Sequence, residues 1–232
     1  SQFGDSCDDD ELAICGEQSL DRFANSIGGN TLFPQIMPKI EMALGSPDWK
    51  LRRAGLTALA LISEGCSKAM KPMLPQLTQG VLGFTNDKHF RVRYAALHCL
   101  GQFAMDFKGE FQNKCCKQVL PVLVNGLTSQ GICERLKHCA SKSLLVICDG
   151  GSCREEVLLP HLRPALEGLF QLVQHGKSKT KEDALTTISS ITSVIGKKFE
   201  PYFDIFMPLA IDVLKLPATE DNVLVRGRAV EC

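Results

Sequence analysis

The stretch SPDWKLRRAGLTALALISEGC, residues 46–66, has a counterpart 41 residues later in DKHFRVRYAALHCLGQFAMDF, residues 87–107. Basic, small and apolar residues recur in the same order in both. Such a recurrence indicates a structural repeat, and it continues along the chain as a column of Gly or Ala. The column consists of Gly55, Ala96, Ala140, Ala184 and Ala229.

Apolar residues follow the small ones four and seven positions later, so the three positions share one face of a helix. They are Leu59, Leu100, Leu144 and Ile188, and then Ile62, Phe103, Ile147 and Ile191. A small residue on that face lets a neighbouring helix approach closely. A basic column precedes the small one by three residues, with Arg52, Arg93, Lys137 and Arg226. We expect these side chains to bind an aspartate or carbonyl of the next unit, with nucleic-acid contact as the alternative.

A second apolar segment with helical spacing follows each of these helices and begins near a proline, which we interpret as the helix start. Helix pairs of this length are typical of HEAT and armadillo repeats, which stack into a solenoid because one pair cannot bury its apolar face alone. The sequence therefore predicts an all-α superhelix of about five pairs, and we expect the chain to be part of a longer one. The predicted units are 9–45, 46–85, 86–130, 131–176 and 177–216, with a sixth opening at 222–232 and an acidic loop or flexible N-terminus at 1–8.

The composition is that of a globular protein, with 44% hydrophobic and 22% charged residues among 232. Neither a signal-peptide pattern nor a membrane-length apolar run occurs, so we expect a soluble protein. The eleven cysteines are irregularly spaced and indicate reduced thiols. Net charge is zero, but residues 1–21 hold seven acids and no Lys or Arg. That segment is predicted to be a solvated loop that can also attract basic partners.

Four stretches together resemble the importin-β superfamily of karyopherins, nearest the importin five branch. They are CDDDELAICGEQSLDRFANSIGG, SPDWKLRRAGLTALALISEGC, FRVRYAALHCLGQFAMDF and KKFEPYFDIFMP. The resemblance runs nearly end to end and implies a central part of a nuclear import receptor, shuttling between cytoplasm and nucleus. It further implies protein cargo with basic localisation signals on a concave surface, cargo release by Ran in its GTP form, and contact with nucleoporin Phe-Gly repeats. Karyopherins are usually acidic overall, whereas this chain is neutral.

In such a solenoid the second helix of each pair lines the inner curve, so its outward polar residues are candidate cargo contacts. These candidates are Glu41, Gln79, Asn125, Glu167 and Asp212. The acidic residues Asp8, Asp9, Asp10 and Glu11 are expected to add longer-range attraction for basic cargo or to occupy the groove when cargo is absent. For each candidate, an ordinary solvated surface residue is the competing interpretation. Trp49, the only tryptophan, is predicted to seal the junction between units, with a docking site for Phe-Gly motifs as the alternative.

No catalytic or cofactor site is predicted. The GKS at residues 176–178 lacks the glycine that a phosphate loop needs five residues earlier, where Gln171 stands. A zinc site is an alternative, but it lacks any CxxC pair. Its candidate ligands are Cys133, His138, Cys139, Cys148, Cys153 and His161. A HEAT scaffold of a phosphatase or kinase assembly, and a basic-groove nucleic-acid binder, remain the competing functions; we expect no membrane contact and no direct nucleic-acid contact.

Overall fold

The computed structural model describes residues 11–129, 131–149 and 153–232, and within these ranges all regular structure is helical. The all-α prediction is confirmed. The predicted acidic residues Asp8, Asp9 and Asp10 lie outside the described residues, as does the side chain of Glu11. None of the described helices combines the length and the apolar character needed to cross a membrane.

The chain divides into two compact units, one up to Met73 and one from Leu74 onward. This division falls inside the predicted unit 46–85, and the grouping of helices into the five predicted repeats stays a prediction. The first unit contains α1 (Glu11–Ile27), α2 (Gly29–Leu44), α3 (Trp49–Leu61), α4 (Ser67–Met70) and a 3₁₀ turn at Lys71–Met73.

Within the first unit, α3 packs against both α1 and α2. Its start is fixed by Asp48, whose carboxylate accepts a hydrogen bond of 2.9 Å from the backbone N–H of Lys50. Gly55 faces α2 so closely that a Cβ there would lie 3.1 Å from the side chain of Leu44. The small column therefore serves close helix packing here, as predicted.

In the second unit, residues 74–129, 131–149 and 153–232 are described, and they form ten helices. They are α5 (Leu74–Leu82), α6 (Phe90–Asp106), α7 (Glu110–Lys114), α8 (Cys116–Thr128), α9 (Glu134–Cys148), α10 (Glu155–Leu158), α11 (Leu162–His175), α12 (Ser178–Ile195), α13 (Glu200–Leu214) and α14 (Glu220–Glu231). The segments Leu159–His161 and Gly196–Phe199 are 3₁₀ turns.

The larger helices of this unit form two rows. In the first row α6, α9, α12 and α14 contact one another in that order, and in the second row α8 contacts α11 and α11 contacts α13. The small and apolar columns of the first row are buried, with Ala140, Leu144 and Ile147 of α9 completely inaccessible to solvent. In the second row Gly168 brings α11 against α8, since a Cβ there would lie 2.9 Å from that of Leu127. The core lies between the rows.

The interpretation of the prolines as helix starts is wrong for most second helices. Pro34 and Pro38 lie inside α2, Pro121 inside α8 and Pro208 inside α13. Each of these four prolines is exposed. A proline inside a helix removes one backbone hydrogen bond, and on an exposed face water satisfies the carbonyl that loses its donor. The prediction holds for Pro75, the second residue of α5, and for Pro164, the third residue of α11.

Candidate functional site

Three of the predicted cargo contacts lie on the consecutive helices of the second row. Asn125 belongs to α8, Glu167 to α11 and Asp212 to α13, and all three side chains are exposed. Since α8 contacts α11 and α11 contacts α13, these polar groups occur on one helix after the next. Gln79 is exposed on α5. The arrangement offers carboxylate and amide oxygens to an extended ligand that crosses the row.

Each of the three side chains already has a partner on its own helix or just beyond its end. Arg163 Nε donates to Glu167 Oε1 over 2.9 Å, and Lys215 Nζ donates to Asp212 Oδ1 over 3.0 Å. Ser129 Oγ donates to Asn125 Oδ1 over 2.9 Å. Both ion pairs are largely exposed, and exposed pairs of this kind contribute about 0–1 kcal/mol. A ligand cation therefore displaces the internal one at little cost.

The remaining predicted positions lie in the first unit. Glu41 is exposed on α2, and Trp49 is half-buried at the first position of α3. These positions do not test the cargo contact predicted for Glu41. They do not test the sealing role predicted for Trp49 either, so both stay predictions.

Two members of the basic column bind carbonyl groups in the turn that precedes their own helix. Arg52 Nη1 donates to the carbonyls of Ser46 and Pro47 over 3.0 and 2.7 Å. Arg93 Nη1 donates in the same way to the carbonyls of Asp87 and Lys88, over 2.9 and 3.3 Å. The carbonyl acceptors agree with the prediction. However, these bonds fix the turn that leads into the same helix, whereas bonds to the next unit were predicted.

Lys181 completes this column and was missed by the sequence reasoning. It lies three residues before Ala184, as Arg93 lies three before Ala96. Its Nζ donates to the carbonyl of Gln174 over 3.1 Å, in the last turn of α11, the helix before its own. The spacing alone would have found it.

A second group that sequence reasoning missed consists of polar residues that join neighbouring helices of the first row. Ser143 Oγ of α9 donates to the carbonyl of Leu97 on α6 over 2.9 Å. The hydroxyl groups of Ser141 and Thr187 lie 3.1 Å apart between α9 and α12. Further along, Ser178 Oγ donates to Asn222 Oδ1 over 2.9 Å, from α12 to α14. All these bonds cross from one helix to its neighbour.

Another of these connections joins a histidine to a carboxylate. His138 Nε2 on α9 lies 2.6 Å from Asp183 Oδ2 on α12, and Lys179 Nζ lies 3.5 Å from Asp183 Oδ1. Asp183 is only 8% exposed. Burial raises the pKa of its carboxyl, but the hydrogen bond from His138 and the charges of Lys179, His138 and Lys142 outweigh burial, so the pKa of Asp183 is below its ordinary value. The carboxylate is held ionised between two helices.

An apolar groove lies between α1 and α3 in the first unit. Its volume is about 260 Å³, close to the lower end for small-ligand pockets. Leu20, Ala58 and Leu61 form its apolar lining, and Glu17 and Arg53 stand at polar positions of the same groove.

The residues of the zinc alternative do not assemble into a metal centre. His138 contacts Asp183, whereas Cys139 donates to the carbonyl of Tyr94 and Cys153 to the carbonyl of Arg154. Among the residues that the structure describes, no group of three His, Cys, Asp or Glu side chains is arranged to hold a metal ion. The zinc alternative has no support in this geometry.

Comparison with known proteins places this arrangement in a family. Residues 49–103 match the HEAT-like repeat. The importin subunit beta-3 of Saccharomyces cerevisiae (strain ATCC 204508 / S288c) is 33% identical over 230 residues, which cover 98% of this chain and 21% of that protein. The crystal structure of Kap121p bound to RanGTP superposes with a TM-score of 0.87 at 32% identity, covering 99% of this chain and 22% of that one. The chain is a homologue of the importin karyopherins.

This importin homologue also matches Transportin-1 of Oryza sativa subsp. japonica, at 25% identity over 97% of the chain and 26% of that protein. Other crystal structures with TM-scores of 0.87 and 0.86 show Kap121p bound to Pho4p and to Nup53p. The HEAT-repeat fold and the resemblance to karyopherins, predicted from the sequence, are confirmed. The importin homologue spans about a fifth to a quarter of the length of the curated relatives it matches.

Proposed function

We propose that the chain is the cargo-binding part of a nuclear import receptor, without catalytic activity, in a protein that shuttles between cytoplasm and nucleus. The supporting observation is the series Asn125, Glu167 and Asp212, exposed on consecutive helices of the second row. Carboxylates in such a series attract the ammonium groups of a Lys-rich localisation signal, while the amide of Asn125 and that of Gln79 hydrogen-bond its backbone. The homologous Kap121p has been crystallised with protein ligands and with RanGTP.

The cargo proposal is tested by titrating the 232-residue chain with a fluorescent Lys-rich peptide. Replacing Glu41, Glu167 and Asp212 together by lysine is expected to weaken binding at least about tenfold, because about 1.4 kcal/mol of attraction becomes repulsion. The matched control replaces Glu64, Glu156 and Glu220, which are exposed and outside the second helices, by lysine. Equal affinities for the two triple variants would exclude Glu41, Glu167 and Asp212 as contacts of the peptide.

Removing the internal cations sharpens the test. Arg163 and Lys215 compete with a ligand lysine for Glu167 and Asp212. The variant Arg163→Ala with Lys215→Ala is therefore expected to bind the peptide a few-fold more tightly, since each exposed pair is worth about 0–1 kcal/mol. Weaker binding by this variant would mean that the arginine and lysine, and not the carboxylates, contact the peptide.

We propose further that the full-length protein releases cargo when Ran-GTP binds. The test is a pull-down of the full-length protein with Ran loaded with GTP or with GDP, in the presence of the Lys-rich peptide. Loss of peptide only with the GTP form is expected. Equal retention with both forms would favour a HEAT scaffold over a transport receptor.

The groove between α1 and α3 is the proposed contact for nucleoporin Phe-Gly repeats. Its apolar lining, from Leu20, Ala58 and Leu61, and its volume of about 260 Å³ suit a single phenyl ring. NMR titration with a Gly-Phe-Gly peptide is expected to shift the amide resonances of α1 and α3, and a Gly-Ala-Gly peptide is the control. Identical shifts with both peptides would refute this assignment.

A further inference from the structure

A small cavity opens in the second unit where the start of α9 meets the end of α11. Its volume is about 210 Å³. Ile132 and Leu172 form its apolar part, and polar side chains from both helices complete it. These polar residues are Glu134, Lys137, Gln171 and His175. Because an apolar wall lies beside nitrogen groups that can donate hydrogen bonds, the cavity suits a side chain with a short apolar stem and an anionic end.

Lys137 is the member of the basic column that lies at this cavity. Arg52 and Arg93 each donate to main-chain carbonyls in the turn before their own helix. In the part of the chain that the structure describes, the ammonium group of Lys137 has no hydrogen bond or ion pair. The turn before α9 differs from the other two because Gly131 has a φ of 77°, in the left-handed region. Lys137 is half-buried, so its charge is partly removed from water without a compensating anion.

The other ionisable groups of the cavity leave Lys137 available. Glu134 Oε1 accepts a hydrogen bond of 2.9 Å from the backbone N–H of Lys177, just before α12. The ring of His175, the last residue of α11, has no hydrogen-bond partner among the described residues. Two nitrogen groups at one cavity can therefore donate to an incoming anion.

The surrounding sequence carries a positive charge that the chain as a whole lacks. Residues 134–137 and 174–181, which the bond from Lys177 to Glu134 joins, contain five Lys or Arg and one acid, whereas the net charge of the chain is zero. The excess remains when Glu182 and Asp183, the partners of Lys179, are counted with them. A local excess of positive charge raises the local concentration of anionic ligands.

We propose that this cavity binds a glutamate or aspartate side chain of an acidic peptide segment in a partner protein. The carboxylate accepts hydrogen bonds from Lys137 Nζ, the His175 ring and the Gln171 amide. The methylene groups of the ligand lie against Ile132 and Leu172. A nucleic acid fits less well, since no Phe, Tyr or Trp lines the cavity for a base to stack on. The ligand is opposite in charge to the Lys-rich signal, and this inference does not depend on the proposed cargo site.

The test titrates the 232-residue chain with a fluorescently labelled Glu-rich peptide, and with the same peptide in which glutamine replaces every glutamate. The Glu-rich peptide is expected to bind and the glutamine peptide is not. Lys137→Ala should weaken binding about tenfold, because a charge-assisted hydrogen bond is lost. Lys88→Ala is the matched control, since Lys88 is exposed and outside the cavity but carries the same charge. Its removal should change the affinity by less than about twofold, because solvent ions screen distant charges.

A gain of affinity covers the case in which Lys137→Ala does not fold, as judged by circular dichroism. Gln171→Lys adds a cation at an exposed position of the cavity and should tighten binding of the Glu-rich peptide a few-fold. No gain from Gln171→Lys would count against the proposal, and equal affinities of Lys137→Ala and Lys88→Ala would overturn it. Binding of the glutamine peptide as tightly as the Glu-rich one would also overturn it. Tighter binding of single-stranded RNA, lost in Lys137→Ala, would assign the cavity to a nucleic acid instead.

Discussion

The two rows of the second unit use their polar residues in opposite ways. In the first row the polar side chains are buried or half-buried and reach the next helix, as in the pair His138–Asp183 and the bond from Ser143 to Leu97. In the second row Glu167 and Asp212 are exposed and pair only with residues three or four positions away on the same helix. The first row is built to hold helices in register. Polar groups of the second row remain accessible to a ligand.

The difference has an energetic basis. A buried carboxylate such as Asp183 would be strongly destabilising without its partners, so the contact between α9 and α12 depends on an exact pairing of residues. An exposed carboxylate such as Glu167 is solvated whether or not Arg163 contacts it, so its partner is exchangeable. Substitutions in the first row should therefore change stability, and substitutions in the second row should change binding.

The largest effect is expected from adding bulk to the small column of the first row. Ala140→Leu places a branched side chain at a completely buried position and should lower the free energy of unfolding by about 2–3 kcal/mol. Urea denaturation followed by circular dichroism measures this change. Ser193→Leu, at an exposed position of α12 in the same row, is the control, and a comparable loss there would break the contrast.

The next effect concerns the ion pair between α9 and α12. Asp183→Ala removes the carboxylate that contacts His138 across the two helices and should destabilise the chain by about 2 kcal/mol. Glu167→Ala also removes one carboxylate of an ion pair, but in the second row, and should change stability by less than about 0.5 kcal/mol. Equal losses in the two variants would show that the rows do not differ in this respect.

The same carboxylate predicts a pH dependence. The folded-state pKa of Asp183 is below its unfolded value, so its contribution to stability is complete above the unfolded pKa and is lost as pH falls through the folded one. Asp183→Asn should remove this part of the acid sensitivity, seen as a flatter plot of unfolding free energy against pH in the acidic range. An unchanged plot would mean that the carboxylate titrates alike in both states.

The smallest effect on stability is expected when each of two glycines is replaced by alanine. Gly101 on α6 faces α9, and a Cβ there would lie 2.6 Å from Ser143 Oγ, so Gly101→Ala should destabilise by about 1 kcal/mol. Gly80 on α5 has open space around it, so Gly80→Ala should stabilise by about 0.5–1 kcal/mol through its helix propensity. Thermal denaturation of both variants measures whether each substitution raises or lowers the stability. A change in the same direction for both variants would refute the distinction between the two glycines.

The helical repeat was predictable because burial imposes a period on the sequence. Ala96, Ala140 and Ala184 had to be small and Leu100 and Leu144 apolar, since each lies at a closely packed contact in the first row. The prolines misled because proline is compatible with two settings, the first turn of a helix and an exposed interior position, and sequence alone does not distinguish them. Pro121 and Pro208 occupy the second setting.

Candidate site residues were less predictable. In the sequence, Ser143 and Asp183 look like solvated residues of a helix. Their partners lie 46 residues away for Ser143 and 45 residues away for Asp183, so the neighbouring sequence gives no sign of them. The closeness of Ser143 and Asp183 to the small column was the available signal.

The prolines of the second row also alter what the surface presents. The proline nitrogens at positions 121 and 208 carry no hydrogen, so the carbonyls of Lys117 and Asp204, four residues earlier, lose their usual intrahelical donor. These main-chain oxygens carry a partial negative charge and accept hydrogen bonds. Side-chain substitutions do not remove them, and they are not protonated at any accessible pH. A lysine of the proposed peptide ligand would keep them as hydrogen-bonding partners even after every nearby carboxylate has been reversed, so charge reversal would not remove all of the binding.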